Sequence, residues 1–269
     1  MVAFPPCKIN LGLSVLSKRS DGYHDLETCF YPVPWMDVLE VISADTFKFT
    51  SSGNFIPGAS SENLCVKAYA LLKKDFDIRP VKIHLHKIIP SGAGLGGGSS
   101  DAAYTLRLLN ELFVLKLSPS VLMEYAARLG SDCAFFVQDY AMLGTGRGEM
   151  LKEISLSLKG KYLIVVKPDI HVSTADAFAG ITPRERQDSI EYIVTQQPPG
   201  HWKSFLKNDF EDSVFLKYPA IKSLKEKLYS LGASYASMTG SGSAVYGIFE
   251  AAVDVHSEFE KNRYWSGYF

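Results

Sequence analysis

The segment Pro90-Ser-Gly-Ala-Gly-Leu-Gly-Gly-Gly-Ser-Ser-Asp-Ala-Ala103 constrains this chain more than any other. Five glycines fall within the seven residues from Gly92 to Gly98. Such density does not serve a core, because glycine brings no side chain to pack. It allows backbone conformations that a β-carbon forbids and lets the main chain come close to a ligand. Upstream, Val81 to Ile89 alternates as a strand does. Downstream, Ala102, Leu106, Leu109 and Phe113 recur at helical spacing, which predicts a helix from about Asp101. A glycine loop that runs into a helix start presents backbone amides with partial positive charge, and these suit phosphate oxygens. Ser99 and Ser100 add hydroxyl donors at the same place. A flexible surface turn would explain the glycines but would not need Ser-Ser-Asp at the start of a helix.

Several phosphate-binding loops can be compared with this one. A P-loop ends in Gly-Lys-Ser/Thr, and a protein kinase carries HRD and DFG sequences; none of these occurs here. Gly92, Gly94 and Gly97 do satisfy the G-x-G-x-x-G spacing of dinucleotide-binding folds. That fold expects a second strand ending in an acid about 20 residues on. The chain instead enters a second helix, with Ser118 as cap, Pro119 in the first turn and Gly130 as terminator. A nicotinamide-dependent oxidoreductase is therefore the weaker alternative.

The rest of the chain alternates strand and helix signals. Cys7 to Leu16 reads as a strand with Lys8 and Asn10 on one face and Ile9, Leu11 and Leu13 on the other. Asp21-Gly22 marks a turn, Leu39 to Ile42 and Phe47 to Thr50 read as strands, and Ser60 to Asp75 as a helix. Lys161 to Lys167 is a strand, Gln196 to Gly200 a proline-rich loop, and Tyr218 to Leu231 a helix ended by Gly232. Ser234 to Ser243 holds a second glycine loop before a strand over Ala244 to Phe249. The expected class is mixed α and β, with a boundary between Lys152 and Lys161. At 269 residues and 46% hydrophobic content, the chain can form one large domain or two smaller ones.

Composition narrows the partners. A formal charge of −1 lacks the basic excess of duplex-binding proteins, so no nucleic-acid partner is expected. Apolar runs such as Tyr162 to Val166 are strand-sized, so no membrane partner is expected. Met1 to Asn10 shows no signal-peptide pattern, and the four cysteines lack metal-ligand spacing; both point to a cytoplasmic protein with reduced thiols. His84 and His86 lie two apart on one strand and read as an ordinary strand face.

The glycine segment resembles the ATP-binding loop of the GHMP kinases, a family of small-molecule kinases. Met238-Thr-Gly-Ser-Gly-Ser-Ala244 is similar to that family's late glycine loop, and Lys8-Ile-Asn-Leu-Gly-Leu13 to an early strand motif. Three further blocks, Arg19 to His24, Gly130 to Phe136 and Leu206 to Glu211, together with the early strand, resemble the branch that acts on a cytidine-diphosphate methylerythritol. Phe210 stands in the third block where that branch usually has leucine.

This resemblance implies an α+β, two-domain fold. Residues 1–155 would form the ATP-binding domain and 156–269 a ferredoxin-like α/β sandwich. It implies ATP with Mg²⁺, and phosphorylation of the 2-hydroxyl of the methylerythritol moiety; homoserine or mevalonate kinase activity is the alternative within the family. Pro90, Ser91, Gly92, Ala93, Gly94, Leu95, Gly96, Gly97, Gly98, Ser99 and Ser100 would bind the triphosphate, with Ser100 a candidate Mg²⁺ ligand. Asp132 is carried over as catalytic base, although Gly-Ser-Asp before an apolar run also reads as a helix cap. Lys8 would be its electrostatic partner, and a solvated strand lysine is the plainer reading. Asn10 would orient the acceptor. Tyr23, His24 and Phe178 are carried over as cytidine-binding residues, with Phe178 on the opposite face of the base. Thr174 would lie near the substrate phosphates, and Gly240, Ser241 and Gly242 would support the acceptor region. Packed aromatics and a plain turn remain the simpler alternatives at these positions.

Overall fold

A computed structural model describes residues 1–184 and 188–269. The first half contains β1 (Val2–Ala3), β2 (Pro6–Lys18), β3 (His24–Met36), β4 (Val38–Ser43), β5 (Lys48–Gly53), α1 (Leu64–Asp75), β6 (Val81–Lys87), α2 (Gly97–Leu112) and α3 (Pro119–Ala127). There follow β7 (Met142–Gly146), β8 (Met150–Glu153), β9 (Tyr162–Lys167), α4 (Thr174–Phe178), α5 (Ile190–Gln196), α6 (Pro199–Phe205), α7 (Phe210–Lys217), α8 (Pro219–Ser230), β10 (Tyr235–Met238), β11 (Val245–Phe249) and β12 (Arg263–Tyr268). These elements form two compact units that interleave along the chain. One comprises 1–7, 35–91 and 96–139, and the other 8–34, 92–95 and 140–269.

The first unit is built on a sheet of order β1-β4-β6-β5. β6 lies antiparallel to β4 and parallel to β5. Its alternation buries Val81, Ile83, Leu85 and Lys87 on one face, and α2 packs against β4 and against α1 and α3. β6 leads into α2 and then α3, without the following parallel strand that a dinucleotide-binding fold requires. The G-x-G-x-x-G spacing is thus a coincidence of a glycine-rich loop.

The second unit holds two sheets, of order β2-β3-β7-β8 and β10-β11-β9-β12. In the latter, β9 lies antiparallel between β11 and β12. Central placement explains why Leu163 to Val166 form a continuous apolar run: all four residues are buried. One core joins Ile164, Val166 and Val245 of this sheet to Phe210, Val214, Ile221 and Leu228 of α7 and α8.

Three boundaries differ from the sequence expectation. The helix expected over 60–75 splits, with a short 3-10 turn at Ser60–Glu62 and then α1. Asn63 makes the break, because its side chain accepts from Cys65 N at 2.9 Å and caps α1. α3 ends at Ala127, and Gly130 does not take the left-handed conformation of a terminating glycine. The expected loop over Gln196 to Gly200 is mostly helical, since α5 runs to Gln196 and Pro199 opens α6. Proline is tolerated there because the first turn of a helix needs no intrahelical N–H bond. Gly232 does close α8, at φ +97°.

Candidate active site

In the first unit, β6 delivers the chain into the glycine segment, and a buried ionic knot fixes that exit. Asp37 Oδ1 accepts from Ile88 N at 2.5 Å and Ile89 N at 2.8 Å. Its Oδ2 accepts from Lys87 Nζ, which also donates to Asp101 Oδ2 at 2.7 Å. All three side chains are at most 3% exposed. Burial pushes the Asp101 carboxyl up to about 7, with the Lys87 ammonium opposing and the Asp37 charge adding to the rise. For Lys87, burial pulls downward, but the two carboxylates outweigh it and hold the ammonium above its ordinary value.

α2 begins at Gly97, four residues before the expected start. Gly96 occupies the cap position at φ +69° and offers no side chain to the first turn. Gly97 is required by packing, because a β-carbon there would lie 2.9 Å from Lys87 Nζ and from Ile89 Cγ2. A β-carbon on Gly98 would meet nothing within 4 Å, so packing does not call for that glycine. Ser100 Oγ and Asp101 Oδ1 are buried in this first turn without a hydrogen-bond partner. A helix start with an uncapped first turn and an orphaned hydroxyl suits an anion and its counter-cation.

Asp132 lies in the turn after α3, partly exposed. The neighbouring Cys133 is buried, and its N–H donates to Gly130 O at 3.1 Å. The 3-10 turn that follows it, Phe135–Val137, packs against α2. Asp132 is not a side-chain cap of a regular helix, since the next element is a single 3-10 turn beginning after Ala134.

In the second unit, Gly92 to Leu95 of the same loop meets β2 and the late glycine loop. Lys8 N donates to Leu95 O at 2.9 Å, and Ala244 N to Ala93 O at 3.2 Å. Lys8 is buried, not the solvated lysine of the plainer reading. Its Nζ donates to Asn10 Oδ1 at 2.5 Å and to Gly94 O at 3.0 Å. Asn10 Nδ2 donates to Thr28 Oγ1 at 2.9 Å, and Asn10 N to Thr239 Oγ1 at 3.1 Å. The two loops interlock: a β-carbon on Gly94 would fall 2.1 Å from Thr239 O. Gly240 and Gly242 both take positive φ in the late loop, and Ser241 lies partly exposed between them.

The aromatic residues are arranged differently from the expectation. Tyr23 is 56% exposed, and the Arg147 guanidinium lies over its ring, 4.8 Å from the centroid. Phe178 stacks on His24, with centroids 4.8 Å apart, and meets Phe210 edge-on. A base seated on the His24 side of Phe178 would have to displace that imidazole. Thr174 opens α4 and is exposed, behind the Ser173 cap.

The structure brings Lys8, Asn10, Gly94 and Gly240 together in the second unit, and Gly97 to Ser100 with the Asp132 turn in the first. Sequence reasoning missed Asp37, Lys87 and Asp101 as a knot, and also Thr28, Thr239 and Asn208. Lys87 did carry a signal, because it falls in phase with Val81, Ile83 and Leu85 on the apolar face of its strand. As for metals, no cluster of three His, Cys, Asp or Glu side chains among the described residues could hold an ion. The donors here fit Mg²⁺ only as a hard cation that keeps most of its ligands from phosphate and water, with Ser100 Oγ contributing.

Comparison with known proteins identifies the family. Residues 63–140 match the GHMP kinases N terminal domain and residues 200–264 the GHMP kinases C terminal domain. A 4-diphosphocytidyl-2-C-methyl-D-erythritol kinase of Cytophaga hutchinsonii is 53% identical over 263 residues, 97% of each chain. One of Bacteroides thetaiotaomicron is 52% identical over 93% of this chain and 92% of its own. A crystal structure of 4-(cytidine 5'-diphospho)-2C-methyl-D-erythritol kinase superposes with a TM-score of 0.84 at 32% identity, covering 99% of this chain and 98% of that one. A homoserine kinase of Cytophaga hutchinsonii, at 15% identity and a TM-score of 0.63, shares the fold over 97% of this chain and 94% of its own. The chain belongs to the GHMP kinase family, and within it to the group of 4-diphosphocytidyl-2-C-methyl-D-erythritol kinases. It has the two-domain fold of that family and is an ATP-dependent kinase of a small molecule. No helix among the described residues is long and apolar enough to cross a membrane.

Proposed function

We propose that this enzyme transfers the γ-phosphate of ATP to the 2-hydroxyl of 4-(cytidine 5'-diphospho)-2-C-methyl-D-erythritol, a step of non-mevalonate isoprenoid synthesis. The observation that carries the proposal is end-to-end similarity: a relative named for that substrate matches 97% of both chains at 53% identity. The family domain matches at 63–140 and 200–264 support a division near residue 155, into 1–155 and 156–269. Four buried cysteine thiols, none of them in a disulfide among the described residues, support a cytoplasmic setting.

In the reaction, the acceptor oxygen forms a bond to the γ-phosphorus as the bond to the β,γ-bridging oxygen breaks, and ADP leaves with that electron pair. The acceptor proton passes to the Asp132 carboxylate. The loop from Pro90 to Ser100 holds the phosphates through backbone amides that begin at Ser91, and the uncapped first turn of α2 favours their charge. Lys8 offsets charge on the transferred group. Its burial and its fixed partners support this role, since a pre-oriented cation needs no reorganisation during transfer. Ser100, together with phosphate oxygens and water, would hold Mg²⁺, which would supply further neutralisation. Asn10 orients the acceptor. Tyr23, His24 and Phe178 receive the cytosine, Thr174 the diphosphate, and Gly240 to Gly242 the acceptor region.

An acceptor panel tests the assignment. The enzyme should phosphorylate the cytidine-diphosphate alcohol with a kcat/KM at least about 10³-fold above homoserine or mevalonate, because a site built around a base leaves polar groups unpaired when the base is missing. Turnover of either small acceptor without the cytidine compound would overturn it.

A further inference from the structure

We propose that Asn208 is a positioning residue for the Lys8–Asn10 pair, acting through the two carbonyls that flank Thr239. The inference deepens the kinase reading above and rests on the role given there to Lys8.

The Asn208 side chain is buried, and the hydrogen bonds it makes go to backbone. Its Nδ2 donates to Met238 O at 2.9 Å and to Gly240 O at 2.8 Å. Its Oδ1 accepts from Phe210 N at 3.1 Å, which fixes the amide orientation. Only a primary amide brings two donors and an acceptor from one planar group; aspartate brings no donor and serine one. Both recipients lie next to Thr239 in the chain, so Asn208 grips the peptides on either side of it.

Thr239 transmits that grip. Its buried hydroxyl accepts from Asn10 N at 3.1 Å and stands 3.1 Å from both Asn10 Oδ1 and Gly94 O, to one of which it donates. Both oxygens also accept from Lys8 Nζ. One residue thus separates the Asn208 amide from the acceptors that orient the lysine. The packing leaves no slack. Thr239 O sits where a Gly94 β-carbon would be, and a β-carbon on Gly240 would come within 3.2 Å of Gly94 O.

The other end of the brace is the lysine's own strand. Leu13 pairs with Asn208 in a parallel bridge, with Leu13 N donating to Lys207 O at 2.9 Å and Asp209 N to Leu13 O at 2.8 Å. Asp209 Oδ2 accepts from Val15 N at 2.8 Å. Asn208 therefore triangulates β2 and the late loop. Glu211 steadies the same loop from behind, accepting from Met238 N at 2.8 Å and from Lys225 Nζ at 2.6 Å. Asn208, Asp209 and Glu211 each bond the backbone of β2 or of the late loop, as a positioning element does.

Asn208→Asp keeps the shape and the Oδ1 acceptor while replacing two donors by a carboxylate oxygen facing two carbonyls. Asn208→Ser keeps one donor. Misplacement of a catalytic group by 1 Å costs about 10²-fold in rate. Asn208→Asp should therefore lower kcat about 30- to 100-fold while KM for ATP and for the acceptor stays within about threefold, and Asn208→Ser should fall between it and the wild type. Rates are referred to nucleotide-binding stoichiometry. Leu228→Ala, a core truncation on α8, serves as the destabilised control and should keep its kcat per binding site. A kcat within about threefold of wild type in folded Asn208→Asp, or a loss matched by Leu228→Ala, would overturn the proposal. If Asn208→Asp does not fold, Asn208→Ser carries the same test. An NMR measurement separates this claim from the kinase assignment. The Asn10 amide and Lys8 ammonium resonances should shift in the Asn208 variants whatever acceptor the wild type uses, and unchanged resonances would also overturn it.

Discussion

At the scale of single residues, two acids with different surroundings have different jobs. Asp132 stands partly exposed in the turn after α3. Asp101 is sealed beside Lys87 and Asp37. Asp132→Ala should cost about 10²- to 10⁴-fold in the transfer step, the range of general-base contributions, with ATP affinity changed less than about threefold. Single-turnover quench and equilibrium nucleotide binding, measured side by side, check this; near-wild-type transfer would remove Asp132 from the mechanism. For Asp101 the readout is stability. Burial raises its carboxyl to about 7 in the folded chain, so the folded state holds a proton that the unfolded chain has released. Stability from this group is present at low pH and is lost as pH rises through about 7. In metal- and nucleotide-free protein, the Tm of Asp101→Asn relative to wild type should therefore climb from about pH 4 to about pH 7 and then level. A constant difference would mean that Asp101 is ionised throughout. Little of this was legible beforehand. Asp101 stood in the motif, but its partners come from residues 37 and 87, and only the phase of Lys87 on an apolar strand face hinted at a buried charge.

At the scale of elements, the glycine loop separates into residues demanded by folding and residues left free for a ligand. Gly94 and Gly97 have no room for a β-carbon, whereas Gly98 has open space around it. Gly98→Ala should leave the fold intact and raise stability by as much as about 1 kcal/mol, because alanine is the better helix former. It should also weaken ATP binding about tenfold or more, since the methyl would occupy the approach to the first-turn amides. Gly97→Ala should instead lose stability by about 1–3 kcal/mol, as overpacked interiors do. Calorimetric binding together with thermal melts distinguishes the two; unchanged ATP affinity in Gly98→Ala would place the phosphates elsewhere. The strands β2, β6, β9 and β11 were readable because alternation or continuous apolarity marks them. The start of α2 was not, because glycines at a phosphate-binding helix start carry neither propensity nor periodicity. α6 hid behind Pro198-Pro199-Gly200, which reads as a loop until the proline is seen in a first turn. The contact of His24 with Phe178 joins residues 154 apart in the chain, beyond any local pattern.

At the scale of the molecule, family and fold were legible from motifs spread from Lys8 to Ala244, because each block answers to a fixed chemical part. The two compact units interleave: the early strand, the middle of the glycine loop and the late loop belong to one, while the start of α2 and the Asp132 turn belong to the other. That arrangement makes the blocks at residues 8, 94 and 239 meet although they are far apart in sequence. What the motifs could not supply was the bracing behind them, in which Thr239 and Thr28 hydrogen-bond to Asn10 and Asn208 to the carbonyls beside Thr239. The central claim, transfer of phosphate from ATP to one alcohol of a cytidine-diphosphate polyol, is tested most directly by following the reaction with ³¹P NMR. The account predicts one new phosphomonoester signal, coupled to the quaternary C2 of the methylerythritol unit, growing in step with ADP while the diphosphate bridge stays intact. Hydrolysis of ATP without that signal, or a phosphomonoester on another hydroxyl, would contradict it.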